Sequence, residues 1–142
     1  SIKTLYLIEE NLNPIINIKV TGFQWYWIYE YINLFIEKLN SLITNSKKSR
    51  LISSSTHLII PQNLTTRLLI TSKDVIHSWT IPSSGVKVDA MPGRINQIYI
   101  NPNRSRIFIG QCSEICGILH SSMPIVIESV SLEKFLTWLE EQ

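Results

Sequence analysis

The chain is organised around one stretch near its C-terminus. It reads Gly110-Gln111-Cys112-Ser113-Glu114-Ile115-Cys116-Gly117-Ile118-Leu119-His120-Ser121-Ser122-Met123-Pro124. This stretch contains both cysteines of the chain, one of its three histidines and one of its two methionines. Because thiolate, imidazole and thioether groups are soft or borderline metal ligands, their concentration here predicts a metal-binding loop.

The segments on either side of this stretch have the composition of β-strands. Residues 106–110 and 124–130 are rich in Ile and other apolar side chains. Four side chains of ligand type follow one another at intervals of four, four and three residues: Cys112, Cys116, His120 and Met123. On a helix this spacing would place them on one face. Because the flanking segments are strands and Pro124 closes the stretch, we predict a loop that wraps the four side chains around a centre.

Short apolar segments alternate with turn residues along most of the chain. Strands are predicted over residues 15–20, 24–31, 58–60, 67–71, 74–81, 95–100, 106–110 and 124–130. Gly22 is predicted to end the first of these strands, and turn residues cluster at 61–63, 83–85 and 91–93. Short strands with turns about every ten residues predict an all-β sandwich or barrel.

The end of the chain has a helical pattern. Ser131 is a favourable N-cap residue. The apolar residues that follow have the spacing of one helix face, and they are Leu132, Phe135, Leu136 and Leu139. We therefore divide the chain into a leading segment over 1–14, a β domain over 15–130 and a short C-terminal amphipathic helix over 131–142.

Residues 33–56 interrupt the β pattern. Asn, Ser, Lys and Leu dominate this stretch, which contains neither Gly nor Pro. Its apolar residues have rough helical spacing and predict a short helix; they are Leu34, Phe35, Ile36, Leu39, Leu42 and Ile43. We interpret the stretch as an insertion or long connection within the β domain.

Residues 24–31 form a dense aromatic run. Taken singly, each ring fits the interior of a β core. However, Trp25, Tyr26 and Trp27 are consecutive, and successive side chains of a strand point to opposite faces. At least one of these large rings is therefore predicted to lie at the surface or at an interface.

The composition limits the class of protein. The chain has 142 residues, of which 44% are hydrophobic and 17% are charged, and its formal net charge is +2. This is enough apolar material for the core of one domain, and the small net charge argues against nucleic-acid binding. No stretch approaches the roughly 18 consecutive apolar residues that a transmembrane helix requires.

Four kinds of site fit the cysteine loop. A disulfide between Cys112 and Cys116 leaves His120 and Met123 unexplained. Zinc would accept both cysteines, His120 and the remaining candidate, His77, but a closed zinc site has no use for a methionine. A mononuclear blue-copper site takes one cysteine, two histidines and an axial methionine, which leaves one cysteine over. Two thiolates that bridge two copper ions, each with one terminal histidine, use every ligand, so the spacing favours this site ahead of zinc.

The copper-A motif of cytochrome c oxidase subunit II closely resembles residues 110–117 together with His120 and Met123-Pro124. The resemblance extends over nearly the whole chain. Its other parts are QWYWIYEY at 24–31, DVIHSW at 74–79, the DAMPGR and NQ of 89–97, Leu5-Tyr6 and Asn13-Pro14. The resemblance implies a cupredoxin-like Greek-key β-barrel or sandwich that holds a binuclear copper centre.

The resemblance also implies a role for each ligand-type residue. The implied copper ligands are His77, Cys112, the backbone carbonyl of Glu114, Cys116, His120 and Met123. The cysteines would bridge the two ions, the histidines would be terminal ligands, and the carbonyl and the methionine would be weak ligands. The carboxylate of Glu114 would also bind Mg²⁺ at the contact with subunit I. Trp25 matches the residue through which the family accepts electrons, whereas Tyr26 and Trp27 would be packing residues.

By this resemblance, the chain is an electron-transfer subunit of the terminal respiratory oxidase. It would accept electrons from cytochrome c and pass them to haem in subunit I, so this chain alone would not reduce oxygen. The implied partners are cytochrome c, subunit I and other oxidase subunits. The implied location is the intermembrane-space side of the mitochondrial inner membrane, or the periplasmic side in a bacterium. The alternative function is a non-catalytic copper-binding or metallochaperone module.

The chain departs from the family in two respects. The two membrane-spanning helices that begin the family subunit are absent. This predicts a split subunit whose transmembrane hairpin is a separate chain, or else a truncated sequence. The acidic patch expected for docking a basic cytochrome c is also not evident. Glu30 and Asp74 match acidic family positions, but residues 33–56 carry a basic cluster at 47–50.

Overall fold

The computed structural model describes residues 1–9, 13–32, 39–41 and 57–142. Within these ranges the chain forms ten β-strands and two α-helices. The strands are β1 (Ile16–Phe23), β2 (Tyr26–Ile32), β3 (Leu39–Ser41), β4 (Leu58–Pro61), β5 (Thr66–Ser72), β6 (His77–Ile81), β7 (Val86–Ala90), β8 (Asn96–Ile100), β9 (Arg106–Cys112) and β10 (Pro124–Val130). The helices are α1 (Ile2–Glu9) and α2 (Leu132–Glu140).

The described strands form two five-stranded sheets. The strand order is β3-β2-β1-β5-β8 in the first sheet and β4-β10-β9-β6-β7 in the second. β1 runs parallel to β5 and β10 runs parallel to β4, whereas the other neighbours are antiparallel. The prediction of an all-β protein built from short strands is confirmed.

The core lies between the two sheets and follows the alternation of each strand. The first sheet contributes the buried residues Ile16, Ile18, Val20, Trp27, Tyr29, Tyr31, Leu68 and Ile70. The second sheet contributes Leu58, Ile60, Trp79, Ile81, Ile125 and Ile127. Burial of a large apolar side chain stabilises a fold by about 1.5–3 kcal/mol, so this double layer supplies the main stabilisation. Its polar atoms are paired in part: Trp79 Nε1 donates a hydrogen bond of 3.4 Å to the Tyr29 hydroxyl.

Two strand boundaries near the aromatic run differ from the prediction. β1 continues through Gly22, because Gly22 stays paired with Trp27 of β2 and with Ser72 of β5. The prediction that Gly22 ends this strand is therefore wrong. β2 begins at Tyr26, so Trp25 lies in the turn between β1 and β2 and not within a strand.

Two further strands lie outside the predicted set. β7 has the alternating sequence Val86-Lys87-Val88-Asp89 and pairs with β6. β3 pairs with β2, so the helix predicted from the apolar residues of 33–56 is wrong over 39–41. Pairing with a neighbouring strand overrides a weak local preference at this point. The rest of that predicted helix lies outside the described residues.

The chain ends in helix α2, as predicted. The Ser131 side chain accepts a hydrogen bond of 3.4 Å from the Lys134 N–H and so caps the first turn. Helix α1 spans eight residues near the start of the chain and exposes most of its apolar side chains. Among the described residues, no helix has the length and apolar content needed to cross a membrane.

The buried face of α2 differs from the predicted one. Phe135 is buried, Trp138 is half-buried, and the Trp138 ring lies 5.4 Å from the Tyr31 ring in the first sheet. Leu132 and Leu136, which the spacing placed on the same face, are 48% and 51% exposed. The face of α2 that packs against the domain is therefore narrower than the spacing of its apolar residues predicted.

Candidate metal centre

Two paired strands bring a histidine and a cysteine together. β6 and β9 are antiparallel neighbours, with Trp79 opposite Cys112. His77 begins β6 and Cys112 ends β9, so both lie at the same end of the second sheet. The His77 Nδ1 atom lies 3.8 Å from the Cys112 sulfur, although the two residues are 35 positions apart.

The connection from β9 to β10 returns the other ligand-type residues to the same place. Cys116 Sγ lies 3.9 Å from Cys112 Sγ, and both cysteines are free. Cys116 Sγ also lies 3.5 Å from His120 Nδ1 and 3.5 Å from Met123 Sδ. The backbone oxygen of Glu114 lies 3.4 Å from Cys112 Sγ. The structure thus brings all six predicted copper ligands into one cluster.

The cluster is buried and chemically soft. His77 and Met123 are fully buried, and Cys112 and Cys116 are 5% and 4% exposed. The donor atoms of His77 and the two cysteines lie within 4.8 Å of one another. Thiolates, imidazoles and a thioether together suit copper, whereas a closed zinc site leaves the buried Met123 sulfur without a role. The residues present therefore fit a copper centre.

Comparison with known proteins places these features in a family. The family described as "Cytochrome C oxidase subunit II, periplasmic domain" matches residues 16–130. The chain belongs to the cytochrome c oxidase subunit II family. Cytochrome c oxidase subunit 2 of Apis koschevnikovi is 50% identical over 145 residues, covering 100% of this chain and 64% of that protein. The Neurospora crassa protein of the same name is 51% identical over 152 residues, covering 100% of this chain and 61% of that protein. The chain therefore spans less than two thirds of the length of these relatives.

Solved subunit II structures share the architecture. The periplasmic domain of subunit II of cytochrome oxidase from Bradyrhizobium japonicum is 39% identical, with a TM-score of 0.86 and coverage of 91% of this chain and 94% of that one. A mixed disulfide intermediate between a thioredoxin-like protein and subunit II of cytochrome c oxidase gives a TM-score of 0.82 at 37% identity, covering 94% of each chain. The predicted cupredoxin-like fold is confirmed.

In this subunit II chain, a carboxylate orients the His77 ring. Asp74 Oδ1 accepts a hydrogen bond of 2.9 Å from His77 Nε2, which leaves Nδ1 directed at Cys112. Asp74 also accepts hydrogen bonds of 2.6 Å from the backbone N–H groups of Gln24 and Val75. Burial by itself raises the pKa of Asp74, but these hydrogen bonds and the nearby His77 outweigh burial and hold its pKa below the usual value.

The two thiols differ in acidity. Burial raises the pKa of both. For Cys112, hydrogen bonding with the His77 ring and with the Ser78 backbone outweighs burial, so the pKa of this thiol is lowered. For Cys116, the charge of the neighbouring Cys112 adds to burial, so its pKa is raised. Because metal ligation requires deprotonated thiols, Cys112 is the better prepared of the two.

Three residues that shape the site escaped the sequence-based prediction of ligands. A Cβ atom on Gly22 would lie 2.8 Å from His77 Cδ2, so β1 can pack against this ring only with a glycine there. Gln24 Nε2 donates a hydrogen bond of 2.9 Å to the Cys116 carbonyl. The sequence offers a signal for two of them, because Asp74 stands three residues before His77 and Gln24 begins the QWYWIYEY stretch. Gly22 and Gln24 reach the site only because β1 pairs with β5.

The aromatic run contributes one ring to the rim of the site. Trp27 is fully buried, and Tyr26 stacks on Phe23 at 5.1 Å between ring centroids. Trp25 is half-buried and lies over the metal loop, since a Cβ atom on Gly117 would stand 3.0 Å from its Nε1 atom. Tyr26 and Trp27 therefore pack within the domain, while Trp25 lies between the cysteine loop and the surface.

Proposed function

We propose that this chain carries a binuclear copper centre that transfers electrons in a terminal respiratory oxidase. One observation carries the proposal: two thiols, two imidazoles, a thioether and a backbone carbonyl converge on one mainly buried cluster. Soft sulfur donors suit reduced copper, and imidazoles suit both of its oxidation states. Membership of the subunit II family supports the same function.

The donors fall into two matching halves, which supports two metal ions. We define the Cys112 half-site as Cys112, His77 and the carbonyl of Glu114, and the Cys116 half-site as Cys116, His120 and Met123. Each half-site has one thiolate, one imidazole and one weak donor. A single copper ion of the blue-copper kind would leave one thiolate without a role, and a single zinc ion would leave the Met123 sulfur without one, whereas two copper ions would use all six donors.

The fold fixes the positions of these donor atoms. We propose that six groups would hold the copper pair: the thiolates of Cys112 and Cys116 in common to both ions, the imidazoles of His77 and His120, and, as weak ligands, Met123 and the Glu114 carbonyl. When bound, the copper pair would supply a carrier of one electron. His77 and Cys112 are held on paired strands, and the buried sulfurs are shielded from water. This arrangement limits ligand movement when the charge of the site changes.

We propose that cytochrome c delivers the electron near Trp25. The support is geometric, because the Trp25 indole lies against Gly117, the residue that follows Cys116. The electron would then pass to the haem of oxidase subunit I. Glu114 is exposed, and we propose that its carboxylate binds Mg²⁺ at the contact with subunit I, since carboxylates suit hard cations.

The proposed location is the intermembrane-space side of the mitochondrial inner membrane, in a complex with other oxidase subunits. The support is the similarity over the whole chain to the Apis and Neurospora subunit 2 proteins. A separate chain that carries the transmembrane hairpin stays a prediction. Purification of the native complex tests it, and a short chain with two hydrophobic spans in that complex is the expected result.

One experiment tests the centre itself. The chain is loaded with copper and oxidised, and its optical absorption and electron spin resonance spectra are recorded. We expect a purple chain in which one unpaired electron is shared over two copper nuclei. Cys116→Ser should abolish the shared signal, whereas Ser113→Ala in the same loop should keep it. A signal from a single copper nucleus, or a colourless chain that takes up only zinc, contradicts the proposal.

A further inference from the structure

Gln24 lies in the turn between β1 and β2 and contacts both ligand-bearing segments. Its backbone N–H donates a hydrogen bond of 2.6 Å to Asp74 Oδ2, and Asp74 in turn holds the His77 ring. Its side-chain Nε2 donates a hydrogen bond of 2.9 Å to the Cys116 carbonyl. We propose that Gln24 is a positioning residue that joins the two half-sites and sets the position of Cys116. This inference rests on the proposed copper function.

The Cys112 half-site is held by several other contacts. Cys112 and His77 lie on the paired strands β9 and β6. Asp74 keeps its hydrogen bond from Val75 and a contact with Ser72 when the Gln24 side chain is changed, and the backbone N–H of position 24 also remains. A change confined to the Gln24 side chain should therefore leave this half-site almost unaltered.

The Cys116 half-site lies between β9 and β10 and not on paired strands. Cys116 itself is 4% exposed, but Ile115 and Ile118 are 85% and 90% exposed, so the apolar side chains beside Cys116 do not help to anchor the loop. Gly117 has a φ of 127°, a conformation that glycine adopts readily and other residues rarely adopt. The Gln24 amide reaches this part of the loop across 92 positions of sequence. Its hydrogen bond fixes the Cys116 backbone while the sulfur faces the cluster.

Two substitutions separate the donor from the shape of the side chain. Gln24→Met keeps a similar length but removes the N–H donor. Gln24→Glu keeps the shape and places a carboxylate oxygen against the Cys116 carbonyl, so two acceptors face each other. Gln97→Met is the matched control, because Gln97 is an exposed glutamine on β8. All three variants are made in the full 142-residue chain.

The first measurement is proton magnetic resonance of the oxidised, copper-loaded chains. The β-proton resonances of both cysteines are shifted by the unpaired electron, and they report on each thiolate separately. We expect Gln24→Met to move the Cys116 resonances more than those of Cys112, since the two thiolates share one unpaired electron but only Cys116 loses its hydrogen bond. Loss of reduced copper to bathocuproine disulfonate should become about 2- to 12-fold faster, the range expected for one hydrogen bond. Gln24→Glu should show a larger effect, and Gln97→Met none.

The second measurement needs no copper and separates this inference from the proposed function. In the reduced, metal-free chain, backbone order parameters of residues 114–119 should fall in Gln24→Met and stay at wild-type values in Gln97→Met. If wild-type chain bound no copper but this difference appeared, the positioning role would stand and the copper function would fall. Unchanged order parameters in Gln24→Met would overturn the inference, as would equal shifts of the Cys112 and Cys116 resonances. Thermal unfolding of each variant shows that the fold is retained.

Discussion

Met123 places a buried sulfur 3.5 Å from Cys116 Sγ. Leucine has a similar volume but no donor atom, so we expect Met123→Leu to retain the fold and the copper. Its reduction potential should shift, because a weak sulfur ligand tunes the potential of a copper site built from thiolates and imidazoles. Potentiometric titration of the wild type and the variant measures this difference. An unchanged potential would show that Met123 is not a ligand.

Trp25 is the residue through which electrons are proposed to pass from the protein surface to the copper pair. We expect Trp25→Phe to retain its copper and to accept electrons from reduced cytochrome c more slowly, because the indole contact with Gly117 is lost. Stopped-flow mixing with reduced cytochrome c gives the rate. Trp138→Phe, a half-buried tryptophan on α2, is the control. If Trp25→Phe and the wild type were reduced at the same rate, electrons would enter through another residue. If cytochrome c could not reduce the wild type at all, the alternative function, a non-catalytic copper-binding module, would be favoured.

Gly22 allows the backbone of β1 to lie close to the His77 ring. A methyl group at this position would stand 2.8 Å from His77 Cδ2, so Gly22→Ala must displace the ring or the strand. Overpacking of this kind costs about 1–3 kcal/mol. Urea unfolding of the metal-free chain should show this loss, and the spectrum of the copper-loaded chain should change as well. Ser83→Ala, on an exposed turn, is the control; a Gly22→Ala chain with wild-type stability and spectrum would refute the steric argument.

At the level of secondary structure, the stability of helix α2 depends on the N-cap of its first turn. Ser131 accepts a hydrogen bond from the Lys134 N–H, and removal of such a cap costs about 0.5–2 kcal/mol. We therefore expect Ser131→Ala to lower the free energy of unfolding by about 1 kcal/mol. Chemical denaturation measures it, with Ser84→Ala as the comparison. A loss no larger than that of the comparison variant would mean that the cap contributes nothing to stability.

Some of the strands could be predicted from their local sequence pattern, and others could not. Most strands were predictable because they are short apolar segments separated by turn residues, as β5 and β8 are. β7 alternates as well, but it lies between two strong turn signals and carries charged residues. β3 has no strand pattern of its own and exists through pairing with β2. β1 continues through Gly22 because strands on both sides hold it.

At the scale of the whole molecule, Tyr31 links the two sheets. From β2 in the first sheet, its hydroxyl donates a hydrogen bond of 2.6 Å to the Ile59 carbonyl in the second sheet and accepts one of 3.0 Å from the Ile59 N–H. Burial raises the pKa of Tyr31 above its ordinary value. Above about pH 10 the unfolded chain loses this proton more readily than the folded chain. The free energy of unfolding should therefore fall as the pH rises through this range.

Urea unfolding at pH 8 and pH 11 tests this link. At pH 8, Tyr31→Phe should be about 1–3 kcal/mol less stable than the wild type, because the Ile59 groups lose their partner. Between the two pH values, however, the variant should lose less stability than the wild type. Tyr6→Phe on the exposed helix α1 should behave like the wild type. Parallel losses in Tyr31→Phe and wild type would show that this hydroxyl does not couple folding to pH.

The donor set and the loop that carries most of it could be predicted from the chain alone. Cys112, Cys116, His120 and Met123 are close because they are neighbours along the chain. His77 was the remaining candidate ligand, and the family motif added the Glu114 carbonyl. The residues around these donors could not be predicted in this way. Gln24 stands 92 positions from Cys116 and 50 from Asp74, and Gly22 meets the His77 ring through the pairing of β1 with β5. Contacts between distant residues depend on strand register and sheet packing, which no local pattern encodes.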